Sequence, residues 1–461
     1  MKKELPKLYS CNIGVIGLGY VGLPLAVEFA KNKTCLLSGN LINRNVIGFD
    51  INLQRINELQ AGIDNTKEVN SKEILNLENI EFTSNYQKLF SADVFLVTVP
   101  TPIDSFKKPD LSLITKANSL IAKILKERNA QNLNKDGSFI NKKFICPIII
   151  YESTVFPGVT EEICAIQIQE ETDLKFNEDF FCGYSPERIN PGDQNHRLTS
   201  IVKITSGSTN KSAEWIAKFY GSIIDAGIYQ AQTIKVAEAA KVIENAQRDI
   251  NIAFVNELSI IFDKLGLDTL DILKAAETKW NFLPFKPGLV GGHCIGVDPY
   301  YLTSKSEQEG YSPKVLLAGR EINDSMGKII VERIIKNMVS RSMNIKETKV
   351  LIMGLTFKEN CPDIRNTKVF DILKTFEEYN IKCDIVDPYL KFFNLSDELI
   401  LKYKFFDKCP EDKIYSAVVL AVAHREFLEI SCDSWKNLII NEGLFFDVKG
   451  IIPRQLNPIR I

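Results

Sequence analysis

The sequence is poor in the residues that build metal sites and disulfide frameworks. It has three histidines, and its ten cysteines include no C-x-x-C pair and no regular spacing. We therefore expect neither a bound metal nor a disulfide scaffold. Reduced thiols are typical of a cytoplasmic protein, which is the location that the sequence predicts.

The chain also lacks an excess of one charge and any long apolar run. Its formal net charge is -2, and no stretch approaches the roughly 20 apolar residues of a membrane helix. Lys2 and Lys3 precede an apolar run from Ile13, as in a signal peptide, but Glu4 interrupts the basic region. We expect a soluble protein without a nucleic-acid or membrane partner.

The length and composition predict a multidomain α/β protein. The 461 residues are 45% hydrophobic and 25% charged, which suggests two or three globular domains. Buried-strand patterns alternate with helical ones, which is typical of parallel sheets. A polar, Asn- and Lys-rich loop over residues 131–143 is expected to be peripheral.

The first strand pattern runs into a glycine-rich turn. Gly17, Gly19 and Gly22 form a G-x-G-x-x-G that precedes a predicted helix over 23–31. Gly17 permits the tight turn, Gly19 lets the backbone approach a pyrophosphate, and Gly22 permits close helix–strand packing. The free N–H groups of the helix would face the phosphates, so the pattern predicts a dinucleotide site.

A carboxylate at the end of the second strand supports this site. Asp50 follows Gly22 by 28 residues, more than the usual interval of about 20, and a polar insertion over residues 35–44 explains the excess. Asp50 would accept hydrogen bonds from a ribose and repel a 2′-phosphate, which favours NAD over NADP. Arg55 either lies over the adenine or is a solvated helix residue.

Polar residues follow three further strands. Thr101 lies in a proline-rich turn after the strand that begins at Asp93, where open α/β sheets bind ligands. Ser153 and Thr154 follow another strand and either cap a helix or contact cofactor or substrate. Glu187, after the last of these strands, is a candidate acid or base.

A long helix is predicted over residues 233–265, and one stripe of it is polar. Lys241, Asn245 and Asp249 recur at intervals of four. This stripe is either solvated or reaches a site. A broad apolar face is predicted from Val236, Ala239, Ala240, Ile243, Ala246, Ile250, Phe254 and Leu258.

Cys294 lies in a glycine-rich loop between Pro287 and Pro299, and Asp298 follows four residues later. Such a loop can present a thiol in a cleft, whereas the other nine cysteines are read as inert small hydrophobes. Combined with a hydride acceptor, a thiol holds an aldehyde as a thiohemiacetal and then becomes a thioester that water hydrolyses. The residues therefore predict a four-electron oxidation of a primary alcohol to a carboxylate.

The last third predicts a second parallel sheet that lacks the three glycines. Its first strand begins at Lys349, and Lys358 and Arg365 flank the loop at that strand's end. Each is either a diphosphate ligand or ordinary surface charge. Arg320, on a predicted helix over 315–337, reaches a phosphate or partner subunit, or lies on the surface.

The combined motifs resemble those of the UDP-glucose/GDP-mannose dehydrogenase family over nearly the whole chain. The matching segments begin at Gly17 (GLGYVGLP), Val99 (VPTP), Glu152 (ESTV), Ser185 (SPER), Gly291 (GGHCIGVD) and Thr356 (TFKEN). Residues 279–285 (KWNFLPF) resemble the branch that acts on UDP-N-acetylhexosamines in capsule, Vi-antigen and O-antigen synthesis.

The resemblance implies a role for each matching residue. Cys294 would be the nucleophile, Asp298 would help to activate the hydrolytic water, and Glu187 would be an acid/base. The implied catalytic set is completed by Lys241 and Asn245 for the oxyanion and water, and by Thr154. The implied substrate-binding residues are Glu187, Arg188, Lys241, Asn245 and Lys358. The implied cofactor residues are Gly17, Gly19, Tyr20, Val21, Gly22, Asp50, Arg55, Thr101, Thr154 and Arg365.

The implied fold is α/β, with two Rossmann-like parallel-sheet domains joined by a long central helix. We expect an NAD-binding domain at 1–212, a central helical dimerisation domain with the cysteine loop at 213–330, and a UDP-sugar-binding domain at 331–461. The implied reaction is NAD-dependent oxidation of UDP-N-acetylglucosamine or UDP-N-acetylgalactosamine at C6, by a homodimer or larger homo-oligomer. UDP-glucose or GDP-mannose oxidation, a two-electron hydroxyacid dehydrogenase and a non-catalytic nucleotide-sugar-binding regulator are the alternatives.

Overall fold

The computed structural model describes residues 2–131, 143–189, 198–292, 295–393, 395–411 and 413–461. The chain divides into two compact units. The first unit comprises Met1–Glu244 and Tyr300–Glu309, and the second comprises Asn245–Pro299 and Gly310–Ile461. Most of the predicted peripheral loop at 131–143 lies outside the described residues.

The first unit alternates strands and helices. Its strands are β1 (Lys2–Glu4), β2 (Ile13–Ile16), β3 (Val46–Phe49), β4 (Ile80–Thr83), β5 (Val94–Val97), β6 (Lys143–Ile145), β7 (Ile148–Tyr151), β8 (Phe181–Tyr184), β9 (Lys203–Gly207) and β10 (Ile228–Gln230). Its helices are α1 (Gly22–Lys31), α2 (Leu53–Gln60), α3 (Ser71–Leu75), α4 (Ser112–Gln131), α5 (Ile166–Thr172) and α6 (Asn210–Gly221). A π-helical turn over Val159–Ala165 leads into α5.

Eight of these strands form one sheet, in the order β10-β9-β8-β7-β5-β2-β3-β4. All neighbours are parallel except β8 and β9, and β1 pairs separately with β6. The central strands are buried along their whole length, as expected for a sheet covered by helices on both faces. The order reverses between β2 and β5, which is where such sheets bind ligands.

The predicted long helix is α7 (Ile234–Lys264), and its polarity differs from the prediction. Lys241, Asn245 and Asp249 are buried, with side chains no more than 9% exposed. In contrast, Val236, Ile243 and Phe254 of the predicted apolar face are about half exposed. The polar stripe therefore faces the interior of this chain, and a solvated stripe is excluded.

The second unit continues with helices and a second run of strands. Its helices are α8 (Thr269–Ala276), α9 (Asp298–Gln308), α10 (Lys314–Ser340), α11 (Val369–Glu378), α12 (Asp397–Lys402), α13 (Arg425–Leu428) and α14 (Cys432–Lys436). From Tyr300 onward, α9 belongs to the first unit. The strands are β11 (Lys349–Met353), β12 (Lys382–Val386), β13 (Lys404–Phe406), β14 (Tyr415–Leu420), β15 (Ile439–Asp447) and β16 (Ile459–Arg460).

These six strands form a fully parallel sheet in the order β13-β12-β11-β14-β15-β16. The first strand in sequence is central in this sheet, just as β2 is central in the first, so both sheets have the Rossmann strand order. This confirms the predicted α/β fold with two Rossmann-like sheets and a long helix. Within the described residues, no helix has both the length and the apolar character that crossing a bilayer requires.

Candidate active site

The glycine turn after β2 has the geometry that a dinucleotide needs. Gly17 has φ +96°, and a Cβ on Gly22 would lie 1.9 Å from the carbonyl oxygen of Gly17. Neither position therefore accommodates another residue. At Gly19 a Cβ would meet nothing within 4 Å, so space is open above the backbone where a pyrophosphate would approach.

The N-terminus of α1 is suited to an anion. Its first residue is Gly22, and the preceding turn is formed by Gly19, Tyr20 and Val21. The cap residue, Val21, makes no side-chain cap bond, and the first turn of α1 contains no acidic residue. No acidic side chain thus opposes a ligand at the positive end of the helix dipole, and the residues fit the pyrophosphate of NAD.

Asp50 and Arg55 hold the glycine turn from opposite sides of the Leu18 peptide group. Asp50 Oδ2 accepts the N–H of Leu18 at 2.9 Å, and Arg55 Nε donates to the Leu18 carbonyl oxygen at 2.9 Å. Arg55 also pairs with Asp64 at 2.8 Å, and its side chain is 11% exposed. Arg55 is therefore not a solvated helix residue, since its guanidinium braces the loop.

Thr98 is a residue of this site that the sequence reasoning did not single out. It follows β5, and its hydroxyl donates to the carbonyl oxygens of Ile16 and Gly17 at 3.0 and 2.7 Å. It thus ties the end of one strand to the glycine turn of its neighbour. Nearby in sequence, Thr101 is half-buried in the turn that follows β5. Signals for Thr98 were its position at a strand end and its place before the V-P-T-P segment.

The end of β7 carries Glu152, Ser153 and Thr154. Ser153 donates to the Val99 carbonyl oxygen at 2.6 Å, so it ties two strand ends together rather than capping a helix. Thr154 is half-buried beside it. Glu152 is buried, and burial is the main cause that raises its carboxyl pKa.

Glu187 and Glu152 share one buried lysine. Lys203 Nζ donates to Glu152 Oε2 at 2.7 Å and to Glu187 Oε2 at 2.8 Å. Burial lowers the Lys203 pKa, but the two carboxylates outweigh that effect and raise it overall. The other oxygen of Glu187 accepts the backbone N–H groups of Arg188 and Ile189, at 2.6 and 2.8 Å.

Arg188 lies beside this group and pairs with Glu244 of α7, with Nε–Oε2 and Nη2–Oε1 distances of 3.1 and 2.5 Å. Lys241 lies on the buried stripe of the same helix. Glu238, one turn earlier, accepts the backbone N–H groups of Gly158 and Thr160 at 2.6 and 2.9 Å. Burial raises the pKa of Glu238 to about 7.

In the second unit, α7 anchors both ends of the glycine-rich loop. Asn245 donates to Asp298 Oδ2 at 2.6 Å. Asn256 accepts the Gly288 N–H at 2.7 Å and donates to the Gly288 carbonyl oxygen at 3.0 Å. His293 and Cys294 lie outside the described residues. The sequence does not single out Asn256, because a lone amide on a predicted helix carries no distinguishing signal.

A buried ionic group supports this anchoring. Asp249 Oδ1 accepts from Arg320 Nη1 at 2.6 Å and from the Asn323 amide at 2.7 Å, and Asn323 in turn bonds Asn256. Arg320 is 3% exposed, so a surface position for it is wrong, and the described contacts give it a structural partner. Burial raises the Asp249 pKa, and the Arg320 charge opposes that shift.

The second sheet repeats the backbone geometry of the first but closes its acidic residue. Gly354 has φ +89°, and Asp387, at the end of β12, accepts the Leu355 N–H at 2.7 Å. The same carboxylate lies 3.1 Å from His424 Nε2, and both side chains are fully buried. His424 Nδ1 accepts the Asn360 N–H at 3.0 Å, and Nε2 also lies 3.1 Å from the Thr356 hydroxyl oxygen. The Asp387 carboxylate is thus enclosed by groups of its own unit.

Lys358 and Arg365 lie on the loop after β11. Arg365 makes a bidentate pair with Asp363, with Nε–Oδ1 and Nη2–Oδ2 distances of 3.0 and 2.6 Å, and its side chain is 53% exposed. Lys358 is half-buried, and its carbonyl oxygen accepts from the Thr356 hydroxyl at 2.9 Å. Among the described residues, no cluster of three or more His, Cys, Asp or Glu side chains could hold a metal ion.

Sequence models of one family match most of the chain. They are described as the NAD binding, central and UDP binding domains of the UDP-glucose/GDP-mannose dehydrogenase family, and they match residues 11–224, 235–325 and 351–454. The first match contains the glycine turn, Asp50 and Glu187. The second contains the cysteine-bearing loop, and the third contains the last three residues of β11 and the loop after it.

Individual proteins match over their whole length. UDP-N-acetyl-D-glucosamine 6-dehydrogenase of Pseudomonas aeruginosa is 49% identical, over 97% of this chain and 99% of its own. The enzyme of the same name from Salmonella typhi is 46% identical, over 97% and 98%. The solved structure of a UDP-D-ManNAc dehydrogenase from Pyrococcus horikoshii is 25% identical, with a TM-score of 0.81 over 97% of this chain and 98% of that one.

Proposed function

The chain belongs to the UDP-glucose/GDP-mannose dehydrogenase family and is an NAD-dependent nucleotide-sugar dehydrogenase; on this premise we propose that it oxidises the C6 alcohol of a UDP-N-acetylhexosamine to the carboxylate. The chemistry is supported chiefly by the Asn245–Asp298 hydrogen bond, which sets a carboxylate beside the cysteine-bearing loop. The choice of sugar is supported by the two relatives at 46–49% identity, which favour the gluco epimer. The galacto epimer, UDP-glucose and GDP-mannose are the alternatives.

The proposed reaction has two oxidations and one hydrolysis. Bound NAD accepts a hydride in each oxidation. Cys294 adds to the intermediate aldehyde to give a thiohemiacetal, whose oxidation leaves a thioester on the same sulfur. Water then cleaves the C–S bond, so one alcohol, two NAD and one water yield one carboxylate, two NADH and three protons. The role of Cys294 rests on the family resemblance.

The chain's own residues would divide this work by chemistry. Glu187, which accepts a hydrogen bond from Lys203, is the proposed acid/base for the alcohol proton. Lys241 is the proposed cation for the oxyanion, and Asn245 and Thr154 are proposed to position water. Asp298 is the proposed base for the hydrolytic water.

Binding of the two ligands is assigned to the two sheets. Gly17, Gly19, Tyr20, Val21 and Gly22 are proposed to hold the pyrophosphate of NAD. The backbone N–H groups of Leu18 and Asn52 use two of the roughly four lone-pair sites of the Asp50 carboxylate. The remaining sites would accept hydrogen bonds from the adenosine ribose. Arg55 and Thr101 complete this proposed cofactor set.

Lys358 is proposed to face the UDP-sugar, together with Arg188, and Arg365 is proposed to contact the cofactor or a diphosphate. The proposed domain roles are NAD binding for 1–212, dimerisation and the cysteine loop for 213–330, and UDP-sugar binding for 331–461. We propose a cytoplasmic location, as reduced cysteines predict, and a product used for surface polysaccharide synthesis, as the resemblance to that branch implies.

A homodimer or larger homo-oligomer is part of the proposal. Phe254, Ile261 and Leu265 of α7 and the following segment recur on one face and are 54%, 44% and 64% exposed. Trp280, in the segment that follows α8, is 92% exposed. Exposed apolar side chains of this size are typical of a protein–protein interface, so we propose that a second copy of the chain covers them.

The experiment that tests the function is the NADH yield per limiting sugar. UDP-N-acetylglucosamine, UDP-N-acetylgalactosamine and UDP-glucose are each supplied below the NAD concentration, and NADH is read at completion. Two NADH per N-acetylated sugar is the expected result, and the faster epimer is identified in the same assay. One NADH per sugar would leave a two-electron dehydrogenase, and binding of NAD and UDP-sugar without NADH would leave the regulator.

A further inference from the structure

We propose that Lys203 is a positioning residue that holds the Glu187 carboxylate in place and in its charged form, with Glu152 and Tyr220 anchoring the Lys203 ammonium. The proposal rests on the proposed function, in which Glu187 is the acid/base. Lys203 itself is not proposed to touch substrate or cofactor.

The Lys203–Glu187 contact lies where β8 and β9 are neighbours in the sheet. These strands are antiparallel, with Gly183 opposite Gly207 and Tyr184 opposite Ser206. Lys203 is the first residue of β9, and Glu187 lies three residues beyond the end of β8. The lysine is thus held by a sheet strand, and the glutamate by the segment that leaves the neighbouring strand, where its carboxylate accepts the backbone N–H groups of Arg188 and Ile189.

Lys203 and its two carboxylate partners are shielded from water, so water cannot take over the role of the ammonium. The side chains of Lys203, Glu152 and Glu187 are 3%, 0% and 7% exposed. A buried charge without a partner is costly, so removal of one member leaves the others uncompensated. Tyr220 donates its hydroxyl to Glu152 Oε1 and its ring lies 5.4 Å from Lys203 Nζ, which closes the far side of the group.

The hydrogen bonds of Glu187 decide how much of its carboxylate remains for proton transfer. The two backbone N–H groups and Lys203 occupy three of the roughly four lone-pair sites of the Glu187 carboxylate. One site on Oε2 is left to exchange a proton. The group contains two carboxylates and one ammonium, so its net charge is −1 when both carboxylates are ionised, and the ammonium favours the charged form of its neighbours.

The titratable groups that face Lys203 Nζ in the described part of the chain are Glu152, Glu187 and Tyr220. The Arg188–Glu244 ion pair is the next charged pair along the chain. Replacement of Lys203 by Met would leave two carboxylate oxygens no more than about 5.5 Å apart, because both lie within 2.8 Å of the same nitrogen. One of the two carboxyls would then keep a proton at neutral pH.

The test compares K203M, E152Q and the double variant K203M/E152Q in the full-length enzyme. We expect K203M to move the acid limb of the kcat–pH profile up by about one to two pH units, since loss of an adjacent cation shifts carboxyl ionisation by that much. The double variant should move the limb back towards wild type, because the second carboxylate has gone. E152Q alone should move it down. K349M, which removes a lysine–carboxylate pair of the second unit, is the matched control.

A second readout needs no substrate. Two facing carboxylates without a cation take up a proton in the folded state, so the stability deficit of K203M should grow as pH rises from 5.5 to 8, and E152Q should remove that slope. An acid limb and a stability slope that are both unchanged in K203M would overturn the proposal. A wild type that releases no NADH would sink the proposed function and leave this stability test standing.

Discussion

Asn245 donates a hydrogen bond from its side-chain amide to Oδ2 of Asp298 at 2.6 Å, and it does so from the buried stripe of α7. The bond fixes the carboxylate at the end of the loop whose sequence includes Cys294.

Asp298→Asn should slow hydrolysis more than oxidation. An amide cannot take a proton from water, so kcat should fall about 100-fold or more, the usual size of a lost general base. Rapid mixing with excess NAD and UDP-sugar should show a burst of two NADH per active site and then slow turnover. Asp271→Asn, at an exposed Asp–Arg pair of the same unit, is the control and should retain wild-type kinetics. A D298N enzyme without a burst would argue against the hydrolytic role.

Asn256→Ala should loosen the other end of the loop. The variant loses two bonds to Gly288 and one to Asn323, and it leaves buried partners unsatisfied at a cost of about 1–3 kcal/mol. We expect a lower melting temperature and a changed rate of thiol alkylation. Asn251→Ala, on the same helix with a solvent-exposed contact, should change neither. Unchanged alkylation in N256A would remove Asn256 from the account of this loop.

Asp50→Asn should weaken NAD binding and relax cofactor choice. The amide can still accept from the Leu18 N–H but loses the charge that repels a 2′-phosphate. We expect the KM for NAD to rise about tenfold with a small change in kcat, and NADP use to increase. Glu81→Gln, which removes an exposed carboxylate on β4, serves as the comparison. A lower kcat at unchanged KM would point to a different role for Asp50.

Glu238 should make the stability of the first unit depend on pH. Its folded pKa of about 7 lies above its ordinary value because of burial. The folded state therefore binds the extra proton between about pH 4.5 and 7, and stability falls as pH rises through that window. Glu238→Gln loses one bond at every pH but removes this slope, so its melting temperature should gain on wild type from pH 5 to pH 8. Glu162→Gln, at an exposed pair with Lys235, should leave the slope as it is.

Phe254→Glu should disrupt the proposed self-association. A charge in the centre of the exposed apolar face is costly to bury between two copies, so the variant should be smaller than wild type by light scattering coupled to size-exclusion chromatography. Leu401→Glu, at an exposed position on α12, should keep the wild-type mass. A monomeric wild type would contradict the oligomer that we propose.

Local patterns in the sequence were sufficient to predict helices and strands, but not which segments pack against each of them. The predicted helix over 233–265 and the strand before Gly17 lie within a residue or two of α7 and β2, because periodicity and glycine chemistry are local. The face of α7 that is buried could not be read in this way. Its polar stripe is inside because Asp298, Arg320 and Asn323 satisfy it, and these partners are distant in sequence.

The same limit applies to Lys203. It lies 16 residues after Glu187, and nothing in that interval predicts the antiparallel pairing of β8 and β9 that brings the two side chains together. Thr98 and Asn256 act through backbone groups of other segments, which sequence spacing does not reveal. The glycine turn and Asp50 could be predicted from the sequence because both belong to one strand–turn–helix unit and the strand that follows it.

The closed carboxylate of Asp387 has a consequence for the order of events. His424 seals the second sheet's acidic residue, whereas Asp50 of the first sheet is half-buried and has acceptor sites to spare. The proposed reaction removes two hydrides, and both would pass to NAD bound at the first sheet. NADH would then have to be exchanged for NAD while the enzyme retains the partly oxidised sugar. A covalent bond to the cysteine sulfur would retain the intermediate during this exchange. Without that bond, a reactive aldehyde would escape from the enzyme.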